Sequence, residues 1–331
     1  MPVTRKDIVD QVLRGRKANL TAEATAYAPA NIALCKYWGK RDGELNLPVT
    51  SSLSISLGKF GSKARFAIGG NRDSVTLNGR VIDSTQPFAQ RLFAFLDLFR
   101  PAPGAHFQVN AENTIPTAAG FASSASGFAV VVLALNKLFG WQLDERSLSI
   151  LARLGSGSAS RSIYTGFVEW HAGTSADGMD SYAEPLAETW PELRLGLLVV
   201  SGAEKPIGSR AAMKRTVETS PLYAAWPGKV AADLAELKAA IRAKDFERLG
   251  RTAESNAMAM HATMIAAWPP VIYWLPESLI EIRRVAALRE KGVPVYLTMD
   301  AGPNIKLLFL DKDADAVQRT FPTAQIIAPF A

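Results

Sequence analysis

The chain has 331 residues, of which 48% are hydrophobic and 21% are charged, a balance that is typical of a globular protein and excludes a disordered or fibrous one. The formal net charge is +6, but its lysines and arginines are scattered along the chain. Because there is neither a basic block nor a ladder of basic and aromatic residues, we expect no nucleic-acid partner.

Length and cysteine content bear on organisation and compartment. Chains longer than roughly 250–300 residues usually divide into more than one core, which predicts two lobes. The single cysteine, Cys35, cannot form an intrachain disulfide; a reducing interior fits, as would a secreted protein without disulfides. The first 20 residues lack the apolar block of a signal peptide, and no apolar run approaches the ~20 residues of a membrane span. We therefore expect a soluble, cytoplasmic protein with no membrane partner.

The first half of the chain is predicted to be rich in strands. A short amphipathic helix capped by Thr4 comes first. Strands with turns between them are predicted at 22–28, 52–57, 65–68 and 74–77. Asn78-Gly79 then lies between two apolar segments and predicts a hairpin, because type I′ turns need positive φ. Helical spacing at 87–99, 124–138 and 144–154 is interrupted by a strand pattern at 106–110.

The second half changes from strands to helices. Strand patterns at 163–170 and 193–200 precede helical patterns at 230–243, 246–262 and 276–291, and two strands follow at 294–299 and 305–310. A strand-rich first half and a helix-rich second half with a late hairpin predict a two-lobed α+β protein. The boundary between the lobes is expected within 185–205.

Residues 116–127 combine small residues with three serines and lead directly into an apolar helix. Gly and Ala let backbone N–H groups approach a ligand, and Ser123 or Ser124 can cap the helix, whose N-terminus attracts anions. The alternative is a capped helix after a small-residue turn, with no ligand. The stretch is neither a Walker A loop nor a dinucleotide fingerprint. It resembles the P-x-x-x-G-x-x-S-S-A signature of the GHMP small-molecule kinase superfamily, in which this loop wraps the phosphates of ATP.

Residues 36–41 read Lys-Tyr-Trp-Gly-Lys-Arg. Three cations in so short a stretch are costly to bury without anionic partners, and a Lys–Tyr–Lys face can hold a diphosphate through charge-assisted hydrogen bonds. The alternative is a solvated turn anchored by Trp38. The neighbouring Cys35 has no histidine close in sequence and is expected only to pack.

Two further segments carry groups suited to phosphate chemistry. Residues 155–162 place small hydroxyl residues around Arg161, whose planar fork suits phosphate oxygens, although Gly/Ser runs are usually flexible turns. Asp300, in the Met-Asp-Ala-Gly-Pro-Asn segment 299–304, is either the start of an Asx turn or a carboxylate on the floor of a pocket. The histidines, His106, His171 and His261, lie far apart in sequence and are poor candidates for metal ligands.

Three of these segments are similar to motifs of the diphosphomevalonate decarboxylase family within the GHMP superfamily. They read A-P-x-N-I-A-x-x-K-Y-W-G-K-R, G-S-G-S-A-x-R-S and M-D-A-G-P-N, in the family's order and at compatible separations. The resemblance implies ATP-dependent decarboxylation of 5-diphosphomevalonate to isopentenyl diphosphate, with release of ADP, phosphate and CO2. It also implies ATP and Mg2+ as cofactors and a homodimer as the assembly.

The resemblance further implies the two-lobed GHMP kinase fold. An ATP-binding lobe similar to the second domain of a small-subunit ribosomal protein would comprise residues 1–195. A ferredoxin-like, helix-rich lobe would comprise residues 196–331 and complete the substrate site. A related GHMP enzyme that uses 5-phosphomevalonate, a mevalonate kinase that does not decarboxylate, and a silent ligand-binding protein on this fold are the alternatives.

Site residues are carried over from the family motifs position by position. Asp300 matches the family's catalytic Asp, Arg161 the Arg that orients the substrate carboxylate and phosphates, and Lys40 is a third catalytic candidate. The implied substrate-binding residues are Tyr37, Lys40, Ser156, Ser158, Arg161, Ser209 and Arg210. The implied nucleotide-binding residues are Ala119, Gly120, Phe121, Ala122, Ser123 and Ser124, with Ser124 also at the metal. Asn31 and Lys36 are expected to order the site, and Gly208 stands where the family has a serine, which leaves one hydroxyl contact in doubt.

Overall fold

The computed structural model describes residues 2–114, 123–203 and 205–330. Within the first half it contains nine strands: β1 (Glu23–Cys35), β2 (Lys40–Asp42), β3 (Leu47–Pro48), β4 (Ser52–Ile68), β5 (Ser74–Leu77), β6 (Arg80–Ile82), β7 (Phe107–Asn113), β8 (Phe167–Trp170) and β9 (Ala183–Pro185). The helices of this half are α1 (Arg5–Val12), α2 (Pro87–Leu96), α3 (Ser123–Leu138) and α4 (Glu145–Gly155). The described part of this half also contains two 3-10 helices, Asp97–Phe99 and Gly157–Ile163.

A seven-stranded sheet dominates the first half. Its strand order is β6-β5-β7-β4-β8-β9, with β1 also paired to β4, and only the β5–β7 pair is parallel. The apolar face of α3 packs on this sheet because Val132, Leu135 and Leu138 are fully or almost fully buried with Phe66 in one core. The predicted turn is confirmed, since Asn78 and Gly79 have φ of 49° and 76°.

The second half contains β10 (Leu193–Leu198), β11 (Tyr296–Met299), β12 (Ile305–Leu310) and β13 (Gln325–Ile327), which form one antiparallel sheet in the order β11-β12-β10-β13. Its helices are α5 (Ser209–Thr219), α6 (Trp226–Ala243), α7 (Phe246–Ile265), α8 (Pro276–Glu290) and α9 (Ala314–Thr320), with 3-10 turns at Tyr223–Ala225 and Asp311–Asp313. None of the described helices combines the length and apolarity that crossing a bilayer would require.

The two halves share one of the hydrophobic cores that the described residues form. Leu34 and Ile55, at the ends of β1 and β4, are buried together with Leu195 and Leu307 of the second sheet and Leu237 of α6. The first sheet therefore ends inside the core of the second half, and residues that follow β1 lie next to the second sheet. The predicted two-lobed α+β architecture is confirmed, whereas the division at residue 195 stays a prediction.

Several element predictions were wrong in extent. The expected strands 52–57 and 65–68 are one strand, β4, which continues through Gly58, whose φ is 58°, and through Gly61. At Gly61 an added Cβ would lie 2.1 Å from the Ala28 carbonyl oxygen, so the glycine marks a close approach of two strands and not a turn. The strand expected from residue 163 begins only at Phe167, and the segment before it is a 3-10 helix. Helices α5 and α9 and strand β13 were not predicted.

Candidate active site

Asp300 lies at the junction of the two sheets. It follows β11 directly, and β11 and β12 pair antiparallel with Thr298 opposite Lys306. Lys36 follows β1 of the first sheet. Its Nζ lies 2.9 Å from Asp300 Oδ1, and the Nζ of Lys306 lies 3.0 Å from Oδ2. We call Asp300, Lys36, Lys306 and the nearby Arg161 the Asp300 cluster.

The charges of this cluster are set by burial and by one another. Burial raises the pKa of the Asp300 carboxyl group, but the ammonium groups of Lys306 and Lys36 outweigh it and hold that pKa well below its usual range. Burial lowers the pKa of Lys36 to about 8, because the attraction of Asp300 compensates only in part and Lys306 adds repulsion. Asp300 is therefore a carboxylate, and its side chain remains 38% exposed, so it is accessible to a substrate.

Lys36 and Asp300 are also fixed through their backbones. The N–H of Lys36 donates to Asn256 Oδ1 (2.8 Å), and Asn256 Nδ2 donates to Asp233 Oδ2 (2.7 Å). His261 Nε2 lies 3.1 Å from the Asp300 carbonyl oxygen, to which it donates. Burial and the charge of Lys36 lower the pKa of His261 to about 3, so its ring is neutral. Two residues of α7 thus hold the backbones of Lys36 and Asp300 in position.

Arg161 lies in the 3-10 helix after α4 and is 2% exposed. Its Nη1 donates to Ser52 Oγ (2.5 Å) and its Nη2 to Asn31 Oδ1 (3.4 Å), while Asn31 Nδ2 donates to Ser162 Oγ (2.7 Å). Burial lowers the pKa of Arg161 to about 10, opposed by the charge of Asp300, so the guanidinium stays charged at neutral pH. Among the described residues, its buried Nε has no hydrogen-bond partner. That unused donor suits an anionic ligand.

A second group of polar side chains surrounds Lys40 and is called the rim cluster: Tyr37, Lys40, Ser156, Ser158 and Arg210. Lys40 Nζ donates to the neutral Asn46 Oδ1 (2.5 Å). Burial, reinforced by the charge of Arg210, lowers the pKa of Lys40 to about 8. The Ser156 and Ser158 hydroxyl oxygens lie 3.4 Å apart. These groups offer several donors and, among themselves, no carboxylate.

Tyr37 connects the two clusters. Burial raises its pKa, and the positive charges of Arg161 and Arg210 both act against that shift. The Tyr37 ring meets the Trp170 ring edge-on with centroids 4.8 Å apart, and Gly157 lies against both, since an added Cβ would come within 2.9 Å of the tyrosine ring. Within the described residues the Tyr37 hydroxyl is buried without a partner. The close packing therefore holds in place a hydroxyl donor that is available to a ligand.

Most of the predicted substrate residues thus come together around Asp300 and Lys40. Ser209 begins α5 next to the exposed Arg210, and Gly208, which precedes them, supplies no side-chain cap. The predicted nucleotide loop, Ala119 to Ala122, and the side chain of Ser123 lie outside the described residues. Ser124 is exposed on the first turn of α3. The structure therefore shows where the predicted substrate-binding residues lie relative to one another. Their individual roles remain predictions.

Sequence reasoning missed several residues in and around the Asp300 cluster. Lys306, Asn256 and His261 were not assigned to it, nor was Lys205, whose burial lowers its pKa next to Lys306. The Lys205 Nζ lies 3.7 Å from where a Cβ on Gly302 would stand. Lys306 could have been found, because the register of a β11–β12 hairpin places it diagonally across from Asp300. Asn256 and His261 carry no such signal on their long helix.

Metal-binding potential is limited in the described parts of the chain. They contain no group of three His, Cys, Asp or Glu side chains placed to hold a metal ion. Cys35 is fully buried, and burial together with the charge of Asp233 raises the pKa of its thiol to about 12. The thiol is therefore neutral, as expected for a residue that only packs.

Comparison with known proteins agrees with this geometry. Residues 28–183 match the model of the diphosphomevalonate decarboxylase-like N-terminal domain, and residues 196–327 match that of the mevalonate 5-diphosphate decarboxylase C-terminal domain. The diphosphomevalonate decarboxylase of Homo sapiens is 40% identical over 315 residues, which cover 88% of this chain and 77% of the human one. That of Gibberella zeae is 38% identical over 323 residues, covering 90% and 84%.

Solved structures give the same result. The mevalonate diphosphate decarboxylase of Staphylococcus aureus superposes with a TM-score of 0.87 at 38% identity, covering 94% of this chain and 96% of that one. The enzyme of Enterococcus faecalis superposes with a TM-score of 0.85 at 39% identity, covering 93% and 98%. A complex of MDDEF with MVAPP, AMPPCP and magnesium matches with a TM-score of 0.87 at 39% identity and the same coverage.

Proposed function

Because the chain belongs to the diphosphomevalonate decarboxylase family, we propose that it converts 5-diphosphomevalonate and ATP to isopentenyl diphosphate, ADP, phosphate and CO2. The observation that carries the proposal is the Asp300 cluster. One carboxylate is surrounded there by three cationic side chains, Lys36, Lys306 and Arg161. Such an excess of buried positive charge is costly unless anions enter the site. The substrate carboxylate, its diphosphate and the transferring phosphoryl group are such anions.

The first chemical step is phosphorylation of the tertiary hydroxyl group. Its oxygen forms a bond to the terminal phosphorus of ATP, the bond to ADP breaks, and the hydroxyl proton, released as the new bond forms, passes to Asp300 and from there to water. Asp300 would accept a hydrogen bond from this hydroxyl and orient its oxygen, a positional role that fits a carboxylate of low basicity. Lys36 and Lys306 keep that carboxylate ionised. Phosphorylation matters because phosphate leaves far more readily than hydroxide.

The second step breaks two bonds. The phosphate leaves with the electron pair of the carbon–oxygen bond, and the electrons of the bond to the carboxylate carbon form the new double bond as CO2 departs. Positive character therefore develops next to Asp300, whose negative charge stabilises it. Arg161 would hold the substrate carboxylate before it is lost, using the guanidinium Nε, which has no hydrogen-bond partner in the described part of the chain.

The rim cluster is proposed to bind the diphosphate. Lys40 and Arg210 supply charge, and the hydroxyl groups of Tyr37, Ser156 and Ser158 supply donors. Ser209, at the first turn of α5, would add a further hydroxyl. Within the described residues, the hydrogen bond of the Lys40 ammonium goes to the neutral Asn46, so a diphosphate would give its charge a directly bonded counterion.

ATP is proposed to bind at the loop that precedes α3 and at the N-terminus of that helix, with Ser123 and Ser124 as hydroxyl donors. Ser124 is exposed there and can reach a ligand. The described residues offer the Ser124 hydroxyl here and contain no carboxylate cluster that could hold a metal ion. A Mg2+ ion would therefore be held chiefly by nucleotide phosphates, with Ser124 as a protein ligand. When bound, Mg2+ supplies positive charge that stabilises the transferring phosphoryl group.

The assembly and compartment are proposed from the family alone: a homodimer, in the cytoplasm. Sedimentation of the purified chain tests the first, and a mass near that of one 35.7 kDa chain would overturn it. Fractionation of the source cells tests the second.

One assay tests the proposed reaction. The purified chain is incubated with ATP, Mg2+ and 5-diphosphomevalonate, and ADP and CO2 are measured together. We expect the two products in equal amounts, with little of either from 5-phosphomevalonate. ADP without CO2 would identify a kinase instead, a preference for the monophosphate would change the substrate, and release of neither product would indicate a silent ligand-binding protein.

A further inference from the structure

Each oxygen of the Asp300 carboxylate forms an ion pair with a different lysine ammonium group. Lys36 lies 2.9 Å from Oδ1 and Lys306 lies 3.0 Å from Oδ2. Hydrogen bonds between charged groups are roughly twice as strong as neutral ones, and two of them from opposite sides fix the plane of the carboxylate as well as its charge. Lys36 directly follows β1 of the first sheet and Lys306 lies in the second sheet, so the carboxylate is held between the two sheets.

The position of Lys306 follows from the β11–β12 hairpin. Thr298 and Lys306 are directly paired, so their side chains lie on the same face of the sheet. Asp300 lies two residues after Thr298, which makes it the diagonal neighbour of Lys306 at a distance that a long side chain can span. The contact therefore needs no special loop conformation, only the register of the two strands.

Packing does not explain a lysine at this position. Strand β12 lies in the interior of its sheet, between β11 and β10, and the residues around Lys306 (Ile305, Leu307 and Leu308) are buried and apolar. The Lys306 side chain is 5% exposed. A buried ammonium in an apolar strand is destabilising unless its charge is used.

We propose that Lys306 is a positioning residue for the decarboxylation: with Lys36 it keeps Asp300 an anion of fixed orientation, so that Asp300 aligns the substrate hydroxyl. This inference rests on the proposed function. Lys306 acts through Asp300 and not on the substrate itself. Removing its charge should therefore lower kcat and leave KM almost unchanged.

The pH dependence of kcat supplies a signature that a merely structural role would lack. The charged and titratable groups around Asp300 are Lys36 after β1, Lys306 on β12, Lys205 before α5, Arg161 in the 3-10 helix and His261 on α7. The charge of Lys306 lowers the pKa of Lys36. Without that charge the pKa of Lys36 rises, and the alkaline limb of kcat against pH moves to higher pH.

The experiment compares Lys306→Met, Lys306→Gln and Lys306→Arg in the full chain. We expect the Met and Gln variants to lose roughly tenfold to a hundredfold in kcat, the size of effect that a small misplacement causes. Their KM should change less than about threefold and their alkaline limb should move up by about one unit, the lower end of what a neighbouring charge does to a pKa. Lys306→Arg keeps the charge and should keep the wild-type limb. Lys238→Met, which removes a lysine paired with Glu169 outside the site, is the matched control and should leave the limb unchanged.

A double-mutant cycle decides whether Lys306 works through Asp300. In an Asp300→Asn background, Lys306→Gln should cost no further kcat, because the group it positions is already lost. Equal losses in both backgrounds, an unmoved alkaline limb, or a raised KM at unchanged kcat would each overturn the inference. If the wild-type chain released neither ADP nor CO2, the proposed function would fail instead. The free energies of unfolding of the wild type, the two single variants and the double variant would then be compared. Additive effects of the two substitutions would still reject the coupling.

Discussion

The Asp300 cluster and the rim cluster differ in how far the protein completes them by itself. In the Asp300 cluster, the carboxylate is paired with two lysines that are at most 5% exposed, one from each half of the chain. In the rim cluster, Lys40 reaches only a neutral amide, the Tyr37 hydroxyl has no partner within the described residues, and Arg210 is exposed. The first cluster is arranged before substrate arrives, whereas the second lacks the anion that would complete it. We infer that chemistry depends on the first and affinity on the second.

The largest expected effect is that of Asp300→Asn. The amide keeps the shape of the side chain and removes the charge that orients the hydroxyl, so kcat should fall by about 10²–10⁴-fold while KM changes little. Steady-state rates of CO2 release measure it. Asp311→Asn, on an exposed carboxylate paired with Arg194, is the control and should release CO2 at the wild-type rate. Turnover near the wild-type rate would remove Asp300 from the mechanism.

Arg161→Lys should impair both rate and affinity, because Arg161 belongs to the Asp300 cluster and also influences Tyr37 of the rim cluster. The ammonium keeps the charge but loses the fork that reaches Ser52 and Asn31. We expect kcat/KM to fall roughly a hundredfold, in line with the loss of a bidentate positioning group. Arg100→Lys, which alters an equally forked contact with Asp73, should change only stability. A thermal shift without loss of kcat/KM would contradict the assignment of Arg161.

Lys40→Met tests whether the rim cluster serves binding and not chemistry. A lysine of the rim cluster should contribute mainly to binding, so KM for 5-diphosphomevalonate should rise by about tenfold, the value of ~1.4 kcal/mol of lost interaction, with a smaller change in kcat. Initial rates over a range of substrate concentrations separate the two constants. A loss confined to kcat would mean that Lys40 serves the chemistry and that the two clusters are not distinct.

The wild-type affinity should weaken as the pH rises through about 8, the pKa to which burial and Arg210 lower the Lys40 ammonium. Above that pH the neutral amine no longer attracts the diphosphate, so KM rises. The effect on folding has the opposite sign: the unfolded lysine stays protonated to near 10.5, so the unfolded state binds more protons and stability rises with pH from about 8. Both trends should be smaller in Lys40→Met. An unchanged pH profile of KM in that variant would rule out Lys40 as its origin.

The smallest expected effect is that of Ser158→Ala. Its half-buried hydroxyl is one of several neutral donors in the rim cluster, so KM should rise only about twofold to fivefold, in keeping with a hydrogen bond worth roughly 0.5–1 kcal/mol. Ser160→Ala, which removes a buried hydroxyl bonded to the Gly157 carbonyl, should change stability and leave KM as it is. A rise in KM above that of Lys40→Met would reverse the expected order of charge over hydroxyl.

Local patterns predicted much of the fold. The hairpin at Asn78-Gly79, helix α3 and strand β12 follow from turn chemistry and periodicity, which depend on neighbours in sequence. Strand β4 was predicted as two strands with a turn between them, at 52–57 and 65–68. Pairing with β1, β7 and β8 makes it one strand, and the backbones of β1 and β4 come close together at Gly61. Helix α5 was missed, since its few buried residues give a weak apolar stripe.

The amino-acid sequence by itself determined the chemical groups: a cationic segment at 36–41, small hydroxyl residues around Arg161, and Asp300 before a Gly-Pro turn. The tertiary structure decided which of them meet. Lys36 and Asp300 are 264 positions apart and form an ion pair only because β1 ends inside the core of the second sheet. Asn256, His261 and Lys306 join them because α7 and β12 pack at that junction. The register of the β11–β12 hairpin could have predicted the contact of Lys306 with Asp300, whereas no local pattern predicts the contacts of Lys36, Asn256 and His261. The shifted pKa values of Lys36 and Asp300 arise from burial and charge that exist only after folding.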